Sequence, residues 1–277
     1  MLRKYREAGK IAKEALELGV DLVKEDALYE EIADKVEKYI IDSGAKPAFP
    51  VNISPNDIAA HYTPYRGDKK KIKRGDVIKI DVGAHIDGYI ADTAITVEVG
   101  TNRYADMIDS VEKVLKKILR EIYPFMPVSE AGKIADKTAR QYGYKVIKNL
   151  TGHKMDRYIL HSGVSVPNYD NGDKTPFEPY CAYAIEPFLT DGVGYVVEEG
   201  NSNIYLLKST EPKELYREFL TLPFAQRWVV DKFGDDLILK NRNIHNYGIL
   251  KEKGKGIVVQ REHTVVILDD YIEITTR

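Results

Sequence analysis

Residues 77 to 99 constrain the fold of this chain more than any other segment, because two strand-like runs are joined there by Asp87-Gly88. Both runs are rich in β-branched residues, and Asp-Gly between such runs is a strong signal for a two-residue hairpin turn. That turn sets the register, so Gly83 faces Asp92. Asp81 then lies on the same face, roughly 7–8 Å from Asp92 between backbones. The sequence therefore predicts that two carboxylates converge over a glycine.

An uncompensated carboxylate within an apolar run is costly, so these two acids need a positive partner or a proton. The partner could be a lysine or arginine from elsewhere in the chain, a proton shared between the acids, or metal ions. A different interpretation places both acids on the solvated face of an amphipathic hairpin, since Lys79 and Thr96 make that face polar toward its far end. The hairpin alone leaves these alternatives open.

The composition is that of an ordinary globular protein, with 277 residues, 43% hydrophobic and 30% charged, and a formal net charge of −2. This balance excludes disordered and collagen-like architectures and gives no overall bias toward nucleic acid or membrane surfaces. The first residues are too charged for a signal peptide, and no apolar run is long enough to span a bilayer. We therefore expect a cytoplasmic protein.

Apolar residues at helical spacing predict four amphipathic helices in two pairs, over residues 2 to 23 and 27 to 42, and over 104 to 123 and 128 to 142. The tetrapeptide Ile32-Ala-Asp-Lys35 recurs as Ile134-Ala-Asp-Lys137, each time in the second helix of its pair. Each pair is followed by a glycine and extended sequence. This order indicates a duplicated α+β unit with a site at the seam between the two copies.

Further acids and histidines lie in segments that the sequence predicts to be part of the sheets. His153 and His161 are eight residues apart, Glu186 stands in an apolar strand, and Glu262 stands in a β-branched run. Any one of them could be a structural residue with a hydrogen bond. Two Asp, two Glu and one His nevertheless suit a carboxylate-rich binuclear site for Mn, Fe or Co better than a zinc finger or a cysteine site.

Residues 204 to 250 are charged, aromatic and without strand alternation, which predicts a helical insertion. Residues 1–203 and 251–277 would then form the main domain, and 204–250 the insertion subdomain. The basic run from Lys69 to Arg74 has two interpretations, a solvated loop or a docking patch for RNA. No aromatic residue is interleaved with these charges, which favours the loop.

Six motifs taken together closely resemble those of type II methionine aminopeptidases, especially the short archaeal form. They are Ala59-Ala-His-Tyr-Thr-Pro64, Asp81-Val-Gly83, Asp87-Gly-Tyr-Ile-Ala-Asp-Thr-Ala94, Gly152-His153, Ala184-Ile-Glu-Pro187 and Gln260-Arg-Glu-His-Thr264. The motifs follow the family's order from one end of the chain to the other. The resemblance implies the α+β pita-bread fold, in which a helix pair with an antiparallel sheet is duplicated, here with a small helical insertion.

The resemblance also implies a metal site of two divalent ions per subunit, Co, Mn, Fe or Zn, held by Asp81, Asp92, His153, Glu186 and Glu262. Asp92 and Glu262 would bridge both ions, Asp81 would hold one, and His153 with Glu186 would hold the other. His61 and His161 match histidines that line the substrate site, while Phe49 and Tyr247 match positions around the methionine pocket. Arg261 replaces an aromatic residue usual in the family. Because its guanidinium would compete with the metals, we expect it to point away from them.

The implied activity is removal of the N-terminal methionine from nascent proteins, preferentially when the second residue is small, by a hydroxide that the two metals activate. Glu186 would carry the proton to the leaving amine, and His161 with His61 would hydrogen-bond the carbonyl oxygen. We further expect a cytoplasmic monomer that associates transiently with the ribosome and has no membrane or specific nucleic-acid partner.

Two other functions are compatible with parts of the sequence. A proline-specific peptidase on the same fold would use the same ligands, but it usually carries an additional N-terminal domain and lacks the Ala-Ala-His-Tyr-Thr-Pro context. A catalytically silent pita-bread protein would bind RNA or a partner through Lys69 to Arg74. Such proteins typically lose metal ligands, whereas all five are present here.

Overall fold

Two pairs of amphipathic helices flank the sheets of this protein, whose computed structural model describes residues 1–277. The helices are α1 (Leu2–Leu22), α2 (Tyr29–Asp42), α3 (Ala105–Glu121) and α4 (Val128–Gln141). Each buries one apolar stripe, such as Ala8, Ala12 and Ala15 in α1. The four predicted helices are confirmed to within two residues at either end. None of the helices is long and apolar enough to cross a membrane.

Short strands follow each helix pair. The first half contains β1 (Lys46–Pro47), β2 (Asn52–Pro55), β3 (Ile58–Ala60), β4 (Val77–Ile86) and β5 (Tyr89–Glu98). The second half contains β6 (Lys145–Val146), β7 (Thr151–Met155), β8 (Ser165–Pro167), β9 (Ala182–Ile185), β10 (Phe188–Thr190) and β11 (Val196–Glu199). The remaining strands are β12 (Ile204–Leu207), β13 (Phe224–Ala225), β14 (Ile244–Asn246), β15 (Ile249–Glu252), β16 (Val258–Gln260), β17 (His263–Ile267) and β18 (Ile272–Ile274). All of their pairings are antiparallel.

The central hairpin of β4 and β5 has the register that its turn predicts. Gly83 pairs with Asp92, and Asp81 pairs with Ala94 two rungs further from the turn, on the same face. Asp87 and Gly88 both have positive φ, 50° and 86°, as a two-residue turn of this hand requires. The convergence of the two carboxylates over Gly83 therefore follows from local sequence.

Two sheets carry the duplicated architecture. One joins β1, β4 and β2, with β5 on β4, and the other has the order β18-β17-β9-β7-β8. Helices α1 and α2 pack on the first sheet around a core that includes Ile32, Ile53 and Ile80. Helices α3 and α4 pack on the second around a core that includes Val114, Ile185 and Val265. This arrangement confirms the predicted fold class.

The two halves meet where β5 lies against the start of β17. The Thr264 hydroxyl accepts the N–H of Asp92 at 2.7 Å and donates to the Asp92 carbonyl at 2.8 Å. The Glu262 N–H donates to the Ala94 carbonyl at 3.0 Å. These bonds tie Asp92 and Glu262 to the same seam through their backbones, independently of their side chains.

Two details differ from the sequence prediction. Glu186 and Glu262 were expected inside continuous strands, but Glu186 lies between β9 and β10, and Glu262 lies between β16 and β17. The hydrogen-bonded ladder between β9 and β17 ends at the pair His263 and Ile185. Glu262 and Glu186 are the residues that directly adjoin this last pair, one on each strand. Hydrophobic patterns show that a segment is buried, but they do not show where its hydrogen-bonded ladder stops.

The segment 204–250 contains strands as well as helices, contrary to the prediction of helices alone. Helices α5 (Lys213–Phe219) and α6 (Gln226–Phe233) and a 3₁₀ turn (Leu237–Lys240) accompany a sheet of order β13-β12-β14. Its strands have two to four residues, too few to show alternation. The predicted boundary at residue 250 falls within β15, which pairs with β11 and β3 of the main domain.

A buried polar cluster holds this insertion against the first half. Arg227 of α6 is fully buried, forms an ion pair with Glu37 of α2, and donates to the Thr63 hydroxyl at 2.7 Å. Glu37 also accepts the Trp228 indole N–H at 2.7 Å and the Val51 N–H at 2.9 Å. The cluster therefore joins the insertion to the chain on either side of β2 and β3.

Candidate metal centre

All nine predicted site residues line one cavity of about 390 Å³. They are Phe49, His61, Asp81, Asp92, His153, His161, Glu186, Tyr247 and Glu262. A larger cavity of about 870 Å³, between α2, the hairpin turn and the insertion, contains none of them. The chemistry of the chain is thus concentrated in the smaller cavity.

The five acid and histidine ligands predicted from the resemblance come from both halves. Asp81 and Asp92 are contributed by the hairpin, and His153 by β7. His153 Nε2 lies 3.6 Å from Asp92 Oδ2 and 3.5 Å from Glu186 Oε1. One ligand atom each of Asp92, His153 and Glu262 lies within 4.8 Å of the other two. Four carboxylates and one imidazole therefore line one cavity, and three of the five bring ligand atoms close together.

Burial makes this group of carboxylates electrostatically unfavourable without a cation. Desolvation raises the pKa of Asp92 to about 7, although hydrogen bonds from Asp81 and Glu262 limit the rise. Desolvation, and next the charge of Asp92, raises the pKa values of Asp81, Glu186 and Glu262 well above normal. Burial therefore favours the protonated form of these carboxyls, and a bound cation would favour the ionised form instead.

No lysine or arginine compensates these carboxylates. The ion pairs of Asp92 and Glu186 involve only His153. Arg261 points away from the cavity, as expected, and its guanidinium binds Glu112 at 2.5 Å and the Ala94 carbonyl at 2.8 Å. The interpretation of a lysine or arginine partner is therefore wrong, and so is that of a solvated hairpin face, because Asp92 is only 4% exposed.

Unpartnered oxygens show that the site fits divalent cations. Oδ1 of Asp81, Oδ1 of Asp92 and Oε1 of Glu262 are buried and have no hydrogen-bond partner. Buried polar atoms in folded proteins nearly always have a partner, so three orphaned oxygens in one cavity require a partner that the protein itself does not supply. Carboxylate oxygens with one imidazole are ligands that Mn, Fe and Co accept. The five side chains could therefore hold metal ions.

The two other histidines line the cavity as neutral rings. Burial, and next the neighbouring His161, lowers the pKa of His61 to about 4. Burial, and next His153, lowers the pKa of His161 to about 3. The His161 ring lies 4.4 Å from that of His153, and the His61 ring lies edge-on to Tyr247 at 5.2 Å. A neutral imidazole has one N–H to donate, so both can act as hydrogen-bond donors at neutral pH.

Phe49 occupies the space that the glycine of the hairpin leaves open. A Cβ atom added to Gly83 would lie 2.2 Å from Cε1 of Phe49, far closer than atoms can approach. From the sequence we inferred only that no side chain filled this space. The structure shows that the glycine lets an aromatic ring from the loop before β2 lie directly against β4.

Two residues at the site were not singled out from the sequence. The side-chain amide of Gln260 contacts both Glu186 and Glu262, and Asn52 pairs with Asp81 across β2 and β4. Gln260 stands two residues before Glu262, inside one of the family-like motifs. Its place in that motif could have identified it as a site residue from the sequence. No sequence signal identified Asn52, because its pairing with Asp81 depends on how β2 aligns with β4 in the folded protein.

Comparison with known proteins places the chain among peptidases. Metallopeptidase family M24 matches residues 3–269. The chain is 43% identical to the methionine aminopeptidase of Methanocaldococcus jannaschii, over 99% of this chain and 98% of that protein. Its fold matches the methionine aminopeptidase of Thermotoga maritima with a TM-score of 0.77 at 22% identity, covering 99% and 96% of the two chains. It also matches a thermophilic Arx1 with a TM-score of 0.84 at 19% identity, covering 99% and 90%. These structural matches concern the fold alone.

Proposed function

Because the chain belongs to the methionine aminopeptidases of metallopeptidase family M24, we propose that it uses two divalent metal ions to remove N-terminal methionine from nascent proteins. The preferred substrates would carry a small second residue. One observation carries this proposal: two Asp, two Glu and one His line one cavity without a lysine or arginine as counter-charge, and Phe49 and Tyr247 line the same cavity.

The proposed ligands have distinct roles. Asp92 and Glu262 would each be a ligand of both ions, as the family resemblance implies, and one oxygen of each lies within 4.8 Å of a His153 nitrogen. Asp81 would hold one ion, and His153 with Glu186 the other. Bound divalent ions would supply an activated water and polarise the scissile carbonyl.

Protons and developing charge would be handled by the protein's own side chains. Glu186 would accept the proton of the attacking water and pass it to the leaving amine, a role open to a carboxylate that lines the cavity beside His153. His161 and His61 would donate hydrogen bonds to the carbonyl oxygen as it becomes an oxyanion. Phe49 and Tyr247 would contact the methionine side chain.

Metal analysis followed by peptide assays tests this function. The protein is purified anaerobically, its metal content is measured, and each of Mn, Fe, Co and Zn is then restored to the metal-free protein. We expect cleavage of Met-Ala-Ser with at least one ion and no cleavage of Xaa-Pro peptides. Faster hydrolysis of the Xaa-Pro peptides would instead identify a proline-specific peptidase.

Substitution of His161 by Ala should lower kcat by roughly 10²–10³-fold, as loss of an oxyanion donor does in other hydrolases. Metal content should stay unchanged, because His161 contacts the His153 ring and is not among the carboxylate-facing ligands. Steady-state kinetics with Met-Ala-Ser and metal analysis of the same preparation check both parts. If metal were lost together with activity, His161 would have to be reassigned as a ligand.

Substitution of Gly83 by Ala should displace the Phe49 ring, since the new methyl group overlaps it. We expect kcat/KM for Met-Ala-Ser to fall roughly 10- to 100-fold, the effect of misplacing a substrate by about 1 Å. The strain should also lower stability by about 1–3 kcal/mol. The double variant Gly83→Ala/Phe49→Leu is the control: a smaller side chain at 49 should recover much of the stability, and no recovery would mean that the clash lies elsewhere.

The remaining proposals concern the setting of the enzyme. We propose a cytoplasmic monomer that meets nascent chains through transient ribosome association, with residues 204–250 as an insertion subdomain. RNA binding through Lys69 to Arg74 has less support, because Ile72 is buried in the core and Lys70 lies over the Tyr29 and Tyr62 rings. Part of this basic run is therefore used by the fold itself.

A further inference from the structure

Gln260 lies between two carboxylates of the candidate metal centre. It is 1% exposed, and its Nε2 lies 3.3 Å from Glu186 Oε2 and 3.2 Å from Glu262 Oε2. An amide NH₂ has two hydrogens, one for each carboxylate. The opposite orientation of the amide would place its oxygen against two anionic oxygens. The neighbours therefore determine which end of the amide faces them.

The backbone of Gln260 is held on both sides. Its N–H donates to the Thr96 hydroxyl of β5 at 2.8 Å, and the same hydroxyl donates back to the Gln260 carbonyl at 2.8 Å. On its other side, Gln260 pairs with Phe188 of β10. Since β5 also carries Asp92, the amide is anchored to a strand of the site itself.

Each glutamate divides its two oxygens between Gln260 and the cavity. Glu186 gives Oε2 to the amide, and its Oε1 lies 3.5 Å from His153 Nε2. Glu262 gives Oε2 to the amide, and its Oε1 is buried without a partner. A single side chain therefore restricts the rotation of two long carboxylates and leaves one oxygen of each facing the ligand cluster.

We propose that Gln260 is a positioning residue that sets the affinity of the cation held by His153 and Glu186. This inference rests on the proposed function, because it assumes that the centre binds two ions. Gln260 has no hydrogen bond to Asp81 and reaches the ion held by Asp81 only through the shared ligand Glu262, so that ion should be weakened less than the ion held by His153 and Glu186. Loss of such outer hydrogen bonds typically lowers metal affinity by about 10–100-fold.

The test is a calorimetric titration of metal-free protein with Co²⁺, with the visible spectrum of the bound cobalt as a second readout. Gln260→Leu removes the amide at similar volume, and Gln260→Glu keeps the shape without the NH₂ donor. Gln141→Leu, on the exposed end of α4, is the matched control. In both Gln260 variants we expect one of the two ions to bind about 10–100-fold more weakly and its spectrum to change, while the affinity of the other falls by a clearly smaller factor.

Three results would overturn the inference. These are unchanged affinities in Gln260→Leu, wild-type affinity in Gln260→Glu, or equal weakening of both ions together with a lower melting temperature of the metal-free protein. The last would show that Gln260 supports only the fold. Wild-type protein that binds no cobalt and cleaves no Met-Ala-Ser would instead refute the proposed function, so the two failures are distinguishable.

Discussion

Replacement of Asp92 by Asn is expected to reduce aminopeptidase activity to background and to lower metal content. Asp92 is the proposed bridge between the two ions and lies 3.6 Å from His153 Nε2. Asn has the same shape but no charge, so the change removes one of four carboxylates that neutralise the cations. Loss of a single electrostatic contact in an active site costs about 10²–10³ in rate, and a bridging ligand should cost more.

The same substitution should stabilise the metal-free protein. Burial raises the pKa of Asp92 from 3.8 to about 7, so ionising it costs more in the folded than in the unfolded chain. The folded wild type therefore loses stability as pH rises from about 4 through 7. The Asp92→Asn variant cannot ionise at this position and should lose less, because only the raised pKa values of Asp81, Glu186 and Glu262 still contribute. The melting temperature of the Asp92→Asn variant should exceed that of the wild type, both measured with chelator present, and the difference should be larger at pH 8 than at pH 5.

Asp87→Asn is the matched control for this experiment. It makes the same change in the same hairpin, but Asp87 is exposed in the turn and pairs only with Lys4 among the charged groups. Metal content and activity should stay at wild-type values. The backbone bonds of residue 92 to Thr264 do not use its carboxylate, so the hairpin should fold normally in the Asp92→Asn variant. An Asp92→Asn protein that is fully active but metal-free would refute the ligand role.

Replacement of Arg227 by Met is expected to destabilise the protein by about 3–5 kcal/mol, the usual effect of removing one partner of a buried ion pair. Glu37 is 4% exposed and would keep its bonds to Trp228 and Val51 but lose its counter-charge. Arg227 also donates to the Thr63 hydroxyl and the Pro64 carbonyl, two and three residues after His61 in the chain. Denaturant unfolding of the wild type and the variant gives the difference directly.

Two controls separate burial from charge in this experiment. Glu37→Leu/Arg227→Met should be more stable than the single variant, because no buried carboxylate is left unpaired. Arg140→Met breaks an exposed pair with Asp136 and should cost less than about 1 kcal/mol. Equal losses in Arg140→Met and Arg227→Met would show that the buried cluster has no special role in stability.

Much of the fold could be predicted from sequence because its signals are local. The Asp87-Gly88 turn and the two-residue period of a strand are enough to place Gly83 opposite Asp92. The four long helices were predictable because their apolar stripes repeat over several turns. The strands of the insertion were not, because Phe224–Ala225 and Ile244–Asn246 are too short to carry a pattern.

The candidate site, too, has features that the sequence could predict and features that it could not. The types of its residues, and through family resemblance their positions, were available from the sequence. Their surroundings were not: the contact of Phe49 with Gly83, the ion pair of Arg261 with Glu112, and the two bonds of Gln260 all join separate segments. The strand ends that aim Glu186 and Glu262 into the cavity likewise depend on where two strands separate.

By itself, the sequence determined the hairpin that brings two acids together, the paired helices around it, and the set of side chains able to bind metal. The hairpin and the helices follow from turn geometry and periodicity, which depend on neighbours within a few residues, whereas the set of metal ligands is what the family resemblance implies. Only the tertiary structure decided that no lysine or arginine reaches the carboxylates, that Arg227 meets Glu37 across 190 positions, and that Gln260 spans two glutamates. Such contacts depend on the packing of distant segments, which local patterns do not encode.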